Sequence, residues 1–289
     1  MLTRSKTSAR ILVLILAVAT VMAFTPLTGW TQEAYAEGEQ TPADQVAVNG
    51  ASVITGEYWV WSGSSYTTTG ATSSNYNIHY TSGTLELKDD SHFTSVVASG
   101  GDLAITLDNA EVKANSLAAI EVTDGSLTLT LVGKNIVTNS SEDSESAGIA
   151  ATTESSTQEN VPECSITVSG AGSLSIKGAA NALAAENNVT ILGGTIMASS
   201  PTDNCIVAGD DVSISGGRIV ATSTTDTAIA GYGNIAISGG TVIANGLGKD
   251  GLAMANGPTG RGVSITGGAV YAHGDRRAMN TAATVTVDA

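Results

Sequence analysis

The chain has 289 residues and a formal net charge of −15 at pH 7. Only 13% of its residues are charged and 4% are aromatic, whereas 33 are glycine. This composition is typical of an all-β protein with tight turns rather than a helical bundle. An acidic chain without a run of basic residues repels phosphate, which argues against a nucleic-acid partner. Two cysteines are too few for a disulfide or zinc framework.

The N-terminus has the pattern of a secretory signal peptide. Three basic residues precede an apolar run from Ile11 to Phe24, and Ala34-Tyr35-Ala36 supplies an A-x-A cleavage site. The run is short for a membrane span of about 20 residues, and no later segment is apolar enough to cross a bilayer. We therefore expect residues 1–36 to be removed. The mature chain is then secreted or associated with the cell surface, and it has no membrane span.

The second half of the chain contains an internal repeat. Each copy has the order apolar-x-Ile-x-Gly-Gly-x-(Ile or Val)-x-Ala, and the glycine pairs begin 23, 23 and 28 residues apart. A period in the low twenties indicates stacked structural repeats. The four copies span residues 189–198, 212–221, 235–244 and 263–272.

The alternation within each copy predicts the fold. Apolar residues at every second position indicate short strands with one buried face, and the glycine pair indicates a sharp bend between two of them. A unit of this length holds three short strands, each of which pairs in parallel with its equivalent one turn later. The sequence thus predicts an all-β, right-handed parallel β-helix of about eight coils. Two buried columns are expected, one of Ile191, Ile214, Ile237 and Ile265 and one of Ile196, Ile219, Val242 and Val270.

The rest of the mature chain divides by composition. Polar residues 37–50 are predicted to form a disordered leader. Residues 51–100 are rich in aromatics and are predicted to form a β cap over the N-terminal end of the solenoid, since open sheet edges invite aggregation. Residues 101–289 are predicted to form the β-helix.

The aromatic segment supplies one candidate binding site. Flat rings cover the apolar faces of sugars, and Tyr58, Trp59 and Trp61 are the candidate carbohydrate-binding residues. Trp59 and Trp61 are two positions apart, so on a strand they share a face. The alternative is that these rings form the core of the cap.

Four aspartates form a candidate metal site. Asp203, Asp226, Asp250 and Asp275 are 23, 24 and 25 residues apart, close to the coil period. If they stacked at one corner, about 5 Å apart, Ca²⁺ would relieve their repulsion, because it prefers carboxylate oxygens. The alternative is that each carboxylate accepts hydrogen bonds from its own turn.

Other residues give little sign of catalysis. A lyase needs a basic residue over carboxylates, and Arg276 beside Asp275 is a weak case for one. No motif for a catalytic nucleophile or a catalytic carboxylate pair is present, so no catalytic residue is predicted. Cys164 and Cys205 lie nearly two coils apart and are expected to be free, buried thiols.

Three motifs resemble a known family. The segments Asp250-Gly251-Leu252-Ala253, Ile214-Ser215-Gly216-Gly217 and Ala118-Ala119-Ile120 are similar to those of bacterial surface β-helix proteins of the clostridial carbohydrate-binding family. That family is related in shape to pectate lyases. The resemblance covers roughly residues 75–289 and implies binding of acidic polysaccharide and of calcium.

Together these observations predict a carbohydrate-binding protein without catalytic activity. Its expected partner is a polysaccharide, with calcium-assisted binding of an acidic one. Two alternatives stay open, because one scaffold hosts many sites. The first is an enzyme of the polysaccharide lyase type. The second is a surface adhesin.

Overall fold

The computed structural model describes most of the chain after the predicted signal peptide. Residues 1–36 and the start of the predicted leader lie outside the described residues. None of the described residues forms a helix with the length and apolar character that a membrane span requires. The described residues are 42–115, 118–141, 143, 146–154, 162–254, 261–281 and 285–287.

The described strands form three sheets, each contributing one side of the coil. Sheet 1 precedes each glycine pair and contains β3 (Tyr58–Trp61), β4 (Tyr66–Thr67), β5 (Ile78–Thr81), β6 (Thr84–Lys88), β8 (Leu103–Asp108), β11 (Leu127–Val132), β14 (Ile166–Gly170), β17 (Val189–Ile191), β20 (Val212–Ile214), β23 (Ile235–Ile237), β26 (Val263–Ile265) and β29 (Val285–Val287).

The other two sheets complete each coil. Sheet 2 follows the glycine pairs and contains β9 (Glu111–Ala114), β12 (Lys134–Asn139), β15 (Ser173–Lys177), β18 (Thr195–Ser200), β21 (Arg218–Ser223), β24 (Thr241–Gly246) and β27 (Ala269–Gly274). Sheet 3 contains β1 (Gln45–Val48), β2 (Ala51–Ser52), β7 (Val96–Ser99), β10 (Ala118–Thr123), β13 (Ala147–Thr152), β16 (Leu183–Ala185), β19 (Ile206–Ala208), β22 (Ile229–Gly231), β25 (Asp250–Met254) and β28 (Arg277–Asn280).

Within the solenoid, each strand pairs in parallel with its equivalent one coil later, as β17, β20, β23 and β26 do in sheet 1. The chain is therefore an all-β parallel solenoid of about eight coils, as predicted. The pairing register confirms the membership of both predicted columns, and every member is buried except Val270, which is partly exposed. In the first column the isoleucines are at most 7% exposed. Burial of apolar side chains in such columns is the main stabilising contribution to the fold.

The glycine pairs form the corner between sheets 1 and 2. The second glycine of each pair has a positive φ, for example 80° at Gly217, which glycine adopts without strain. The first glycine lies close to the coil below, since a Cβ on Gly216 would come within 2.4 Å of the Leu192 carbonyl oxygen. Both positions therefore require glycine, one for its dihedral angles and one for lack of space.

The N-terminal region differs from its predicted boundaries. Residues 45–48 form β1, which pairs antiparallel with β7 and buries Val46 and Val48, so this part of the predicted leader is ordered in sheet 3. Burial of alternate valines is the physical reason, and the polar composition of the segment concealed it. Strands β6 and β7 already pair in parallel with β8 and β10. The first coil therefore begins near residue 84, inside the predicted cap.

Both cysteines are free and fully buried, as the sequence predicted. Burial is the main cause that raises the pKa of each thiol to about 12. At neutral pH both side chains are neutral and pack as small apolar groups.

The glycine corner yields a first prediction. The substitution Gly217→Ala should lower the free energy of unfolding by about 1–3 kcal/mol or more, for two reasons. Alanine is strained at this positive φ, and its Cβ would lie only 2.6 Å from the Gly194 carbonyl oxygen. Gly56→Ala is the control, since that glycine has φ 85° but open space around it. Urea unfolding measures both. Equal losses for the two variants would contradict the role of close packing.

Two half-buried carboxyl groups oppose folding at neutral pH. Burial raises the pKa of Glu121, and Glu154 raises it further. Burial also raises the pKa of Glu186, whose Oε2 has no hydrogen-bond partner among the described residues. The folded state therefore holds these protons more tightly than the unfolded chain. Their stabilising contribution is present below the ordinary carboxyl pKa of 4.5 and is lost as the pH rises through the raised values.

A second prediction follows for Glu186. The substitution Glu186→Gln should raise the melting temperature at pH 7.5 and leave it nearly unchanged at pH 4, because only the ionised carboxylate is penalised by burial. Asp44→Asn, at an exposed position, serves as the control for the change in net charge. Thermal unfolding followed by circular dichroism across this pH range measures the effect. A stabilisation of equal size at both pH values would contradict the assignment.

Candidate functional site

Strand β3 distributes its aromatic side chains between two faces of sheet 1. Trp59 pairs with the buried Ile78 and packs against the hydrophobic core. Its Nε1 is buried and has no hydrogen-bond partner among the described residues. Tyr58 pairs with His79 on the opposite, outward face. Of the three predicted carbohydrate-binding residues, the structure therefore packs Trp59 against the core and places Tyr58 on the outward face.

Three partly exposed rings form an outward-facing cluster, which we call the platform: Tyr58, Tyr76 and His79. The ring of Tyr58 stacks on that of His79, with centroids 4.1 Å apart and planes within 9°. The ring of Tyr76 lies against both, with centroid distances of 5.1 and 5.7 Å. The rings hold one another in place, so the platform is organised without a ligand.

Charged groups line the edge of the platform. The Tyr76 hydroxyl donates to Oε2 of Glu86, and Nδ1 of His79 lies 3.5 Å from the same oxygen. The bond to Glu86 is the main cause that raises the pKa of Tyr76 to about 12. Nζ of Lys88 lies 5.3 Å from the centre of the Tyr76 ring. The Tyr58 hydroxyl makes no hydrogen bond to a described residue and is available to a ligand.

Trp61 belongs to a second aromatic cluster at the end of the same strand. Its ring stacks on His92 with centroids 4.1 Å apart, and its other neighbour is Tyr66 at 5.1 Å. The Tyr66 hydroxyl donates to Oδ2 of Asp90 at 2.8 Å, and the other oxygen of Asp90 bonds the His92 ring. Tyr66 also stacks on the buried Phe93. This cluster closes the N-terminal end of the core, which is the role the alternative interpretation gave to the aromatics.

A row of hydroxyl side chains continues from the platform along the outer face of sheet 1. The register runs from Tyr58 through His79 and Glu86 to Thr106, one position per strand. Thr106 pairs with Thr130, and Thr130 pairs with Ser169. A parallel row beside it contains Thr128, Thr167, Thr190 and Ser213. Neighbouring members are about 4.8 Å apart along the solenoid. We call these two rows the hydroxyl track.

The predicted aspartate column is wrong in its register. Asp203 and Asp226 occupy equivalent positions, but the next positions in that row are Lys249 and Arg276. Asp250 follows Lys249 and so lies one position after this row in its coil. Asp275 precedes Arg276 and so lies one position before the row in the next coil. Spacings of 24 and 25 residues resemble the coil period of 23, but each extra residue moves the side chain to another position at the corner.

The carboxylates at this corner already have partners. Oδ1 of Asp203 accepts from the backbone N–H of Asn204 at 2.7 Å, and Oδ1 of Asp226 accepts from that of Thr227 at 2.8 Å. Asp226 also binds Nζ of Lys249. The two bonds to backbone N–H groups are the hydrogen bonds to the residue's own turn that the alternative interpretation expected, whereas the contact with Lys249 joins successive coils.

Asp250 is fully buried and is held by a basic residue. Arg276 binds both of its carboxylate oxygens, with Nε 3.2 Å from Oδ1, and Asn280 donates to Oδ2 at 2.9 Å. The hydrogen bond to Asp250 is the main cause that raises the pKa of Arg276. Across the described ranges, no group of three or more His, Cys, Asp or Glu side chains is arranged to hold a metal ion.

The comparison with protein families identifies the kind of domain. A family model described as carbohydrate-binding domain-containing protein matches residues 62–270, which is well over half of the chain. The chain belongs to this family. No curated protein and no solved structure gives a significant match. The matched range of this carbohydrate-binding domain contains the hydroxyl track and all of the platform except Tyr58.

Sequence reasoning missed part of the platform. Tyr76 and His79 were not among the predicted carbohydrate-binding residues, because a single histidine and a tyrosine outside the solenoid repeat carry no motif. The alternation of Tyr76-Asn77-Ile78-His79-Tyr80 was the available signal, since it places His79 opposite the buried Ile78 and Tyr80.

The Asp250–Arg276 pair yields a third prediction. The substitution Arg276→Met should lower the free energy of unfolding by about 1–3 kcal/mol, because it leaves the buried Asp250 carboxylate without its cation while Asn280 still donates to it. Arg218→Met, at an exposed position without an ion pair among the described residues, is the control and should have little effect. Guanidinium unfolding measures both variants. A loss below about 1 kcal/mol for Arg276→Met would contradict the importance of the pair.

Proposed function

We propose that this domain binds a polysaccharide along the outer face of sheet 1. In this proposal one sugar ring lies on the platform, and the glycan continues over the hydroxyl track. The observation that supports it is the register that joins Tyr58, His79 and Glu86 to Thr106 in a single continuous line. The family match supports a carbohydrate as the ligand class.

The chemistry of the face suits a sugar. Aromatic rings offer apolar surface to the C–H faces of pyranoses, and tyrosine adds a polar group at its edge. The Tyr58 hydroxyl can donate or accept, Lys88 can donate, and the threonine hydroxyls can do both. A flat row of such groups binds a glycan through many weak contacts rather than through one deep pocket.

We propose binding without catalysis. The lyase alternative required a basic residue poised over carboxylates, but Arg276 is bound to Asp250 on both oxygens. At the platform, Glu86 accepts from Tyr76 and lies against His79. A digestion assay with polygalacturonate should therefore release no unsaturated product.

Calcium-assisted binding of acidic polysaccharide stays a prediction from the sequence. Its best candidates, Asp226 and Asp250, are neutralised by Lys249 and Arg276, so a cation would have to displace these partners. Titration of polygalacturonate in calcium and in EDTA tests it. Abolition of binding by EDTA and a matching loss in the double variant Asp226→Asn/Asp250→Asn would support a calcium bridge, and binding that EDTA leaves unchanged would contradict it.

A fourth prediction tests the platform itself. A glycan array run in EDTA first identifies the neutral oligosaccharide that the protein binds best. The substitution Tyr58→Ala should then weaken binding of that oligosaccharide by about 1 kcal/mol or about fivefold, because a stacking surface is lost. Isothermal titration calorimetry measures the affinity.

Tyr271→Ala is the matched control for this experiment. Tyr271 is 60% exposed and lies on sheet 2, so its removal should leave the affinity for the neutral oligosaccharide unchanged. Melting temperatures of both variants show whether the fold is retained. A folded Tyr58→Ala protein with the affinity of the wild type would refute the platform as the binding site, and binding to no glycan would favour the adhesin alternative.

A further inference from the structure

The outer face of sheet 2 carries a concentration of positive charge in an acidic protein. Lys113, Lys134, Lys177 and Arg218 project from it and are exposed. They are four of the nine basic residues that follow the predicted signal peptide. The only acidic residue on the described strands of this sheet is Glu111. The strands of this face therefore carry a net positive formal charge, although the chain as a whole has a formal charge of −15. Asp89 and Asp90 lie beside Glu111 and Lys134 at its N-terminal end, so the part without nearby carboxylates is the one that contains Lys177 and Arg218.

Most of these cations lack an acidic partner. Nζ of Lys113 lies 2.8 Å from Glu111. Lys134, Lys177 and Arg218 form no ion pair with any residue in the described ranges. By contrast, Lys249 and Arg276, at the corner between sheets 2 and 3, are each paired with an aspartate. The unpaired charges on sheet 2 are therefore available to an external anion.

The register orders the charges in two columns. Lys113 and Lys177 belong to one column and are two coils apart, which is about 10 Å. Lys134 and Arg218 belong to the other and are three coils apart, which is about 14 Å. The charges thus recur along the solenoid axis, as a ligand with repeated anionic groups requires.

A column that is apolar apart from Glu111 and Ser175, called the apolar column, runs between the two charged columns. The pairing register aligns Ile136, Ser175, Met197, Val220, Ile243 and Tyr271 along the middle of the face. Met197 is 59% exposed and Tyr271 is 60% exposed. Side chains of this kind cover the apolar faces of a flat ligand, while the flanking cations contact its charged substituents.

We propose that the outer face of sheet 2 binds a linear anionic polysaccharide directly, without a divalent cation. The sugar rings lie over the apolar column, and sulfate or carboxylate groups contact the lysines and Arg218. A symmetric dimer through this face is disfavoured, because it would place the lysines and Arg218 of one copy opposite those of the other. The inference rests on the carbohydrate-binding function proposed above, but it concerns a different face of the solenoid.

The test uses three glycans in the presence of EDTA. Heparin carries sulfates, hyaluronan carries carboxylates only, and dextran is neutral. We expect the full-length mature protein to bind at least one of the two anionic glycans, with an affinity that falls as salt is raised, and not to bind dextran through this face. Binding of heparin alone or hyaluronan alone would support the proposal and identify the anionic group.

The double variant Lys177→Gln/Arg218→Gln isolates the face. It should lose several-fold in affinity for the anionic glycan, with a shallower dependence on salt, and should retain the wild-type affinity for the neutral oligosaccharide of the platform. Arg261→Gln/Arg277→Gln makes the same change in net charge elsewhere and should keep the affinity for the anionic glycan. Tyr58→Ala should show the converse pattern, so failure of one site is distinguishable from failure of the other.

Several outcomes would overturn the proposal. One is the absence of binding to either anionic glycan in EDTA. Another is a double variant that binds as tightly as the wild type. Equal affinity for duplex DNA of matched charge density would show that the face does not select a polysaccharide. Self-association of the wild type that the double variant loses, measured by sedimentation, would assign the face to a second copy.

Discussion

The parallel pairing of each strand with its equivalent one coil later is the constraint on which the rest of the structure depends. Once Ile191 pairs with Ile214, every residue of the unit is aligned with its counterpart in the next coil. Inward positions then become continuous apolar columns, and outward positions become continuous rows of surface groups. The same register that buries the core therefore also organises the ligand-binding candidates, and a slip of one residue would exchange the two sets.

Each face of the solenoid acquires its own chemistry because the rows are independent of one another. Sheet 1 presents aromatic rings and hydroxyls, and sheet 2 presents cations around an apolar column. The corner between sheets 2 and 3 joins aspartates to basic residues in internal ion pairs. Part of the negative charge at this corner is therefore neutralised within the protein. The flat outer faces of sheets 1 and 2 are then the surfaces along which we propose that a long ligand binds.

The features that recur in every coil could be predicted from the sequence, whereas the features that occur only once or at irregular spacings could not. The glycine pairs and the alternating isoleucines sufficed for the coil and for both buried columns, because a fixed period is visible in one dimension. The aspartates misled because spacings of 24 and 25 residues are nearly the period. The cations of sheet 2 escaped notice because Lys113 and Arg218 are more than a hundred residues apart in the chain and share a face only in the folded structure. Burial of Val46 and Val48 likewise depends on a distant partner, β7.

The glycine corner has a consequence for the surface as well as for folding. At residues 193–194, 216–217, 239–240 and 267–268 the edge between sheets 1 and 2 consists of backbone alone. Bulky residues at these positions would separate one face from the other, whereas glycine leaves only peptide groups there. A long flexible polymer can therefore wrap around it from the hydroxyl-bearing side to the cationic side without meeting a side chain at these residues.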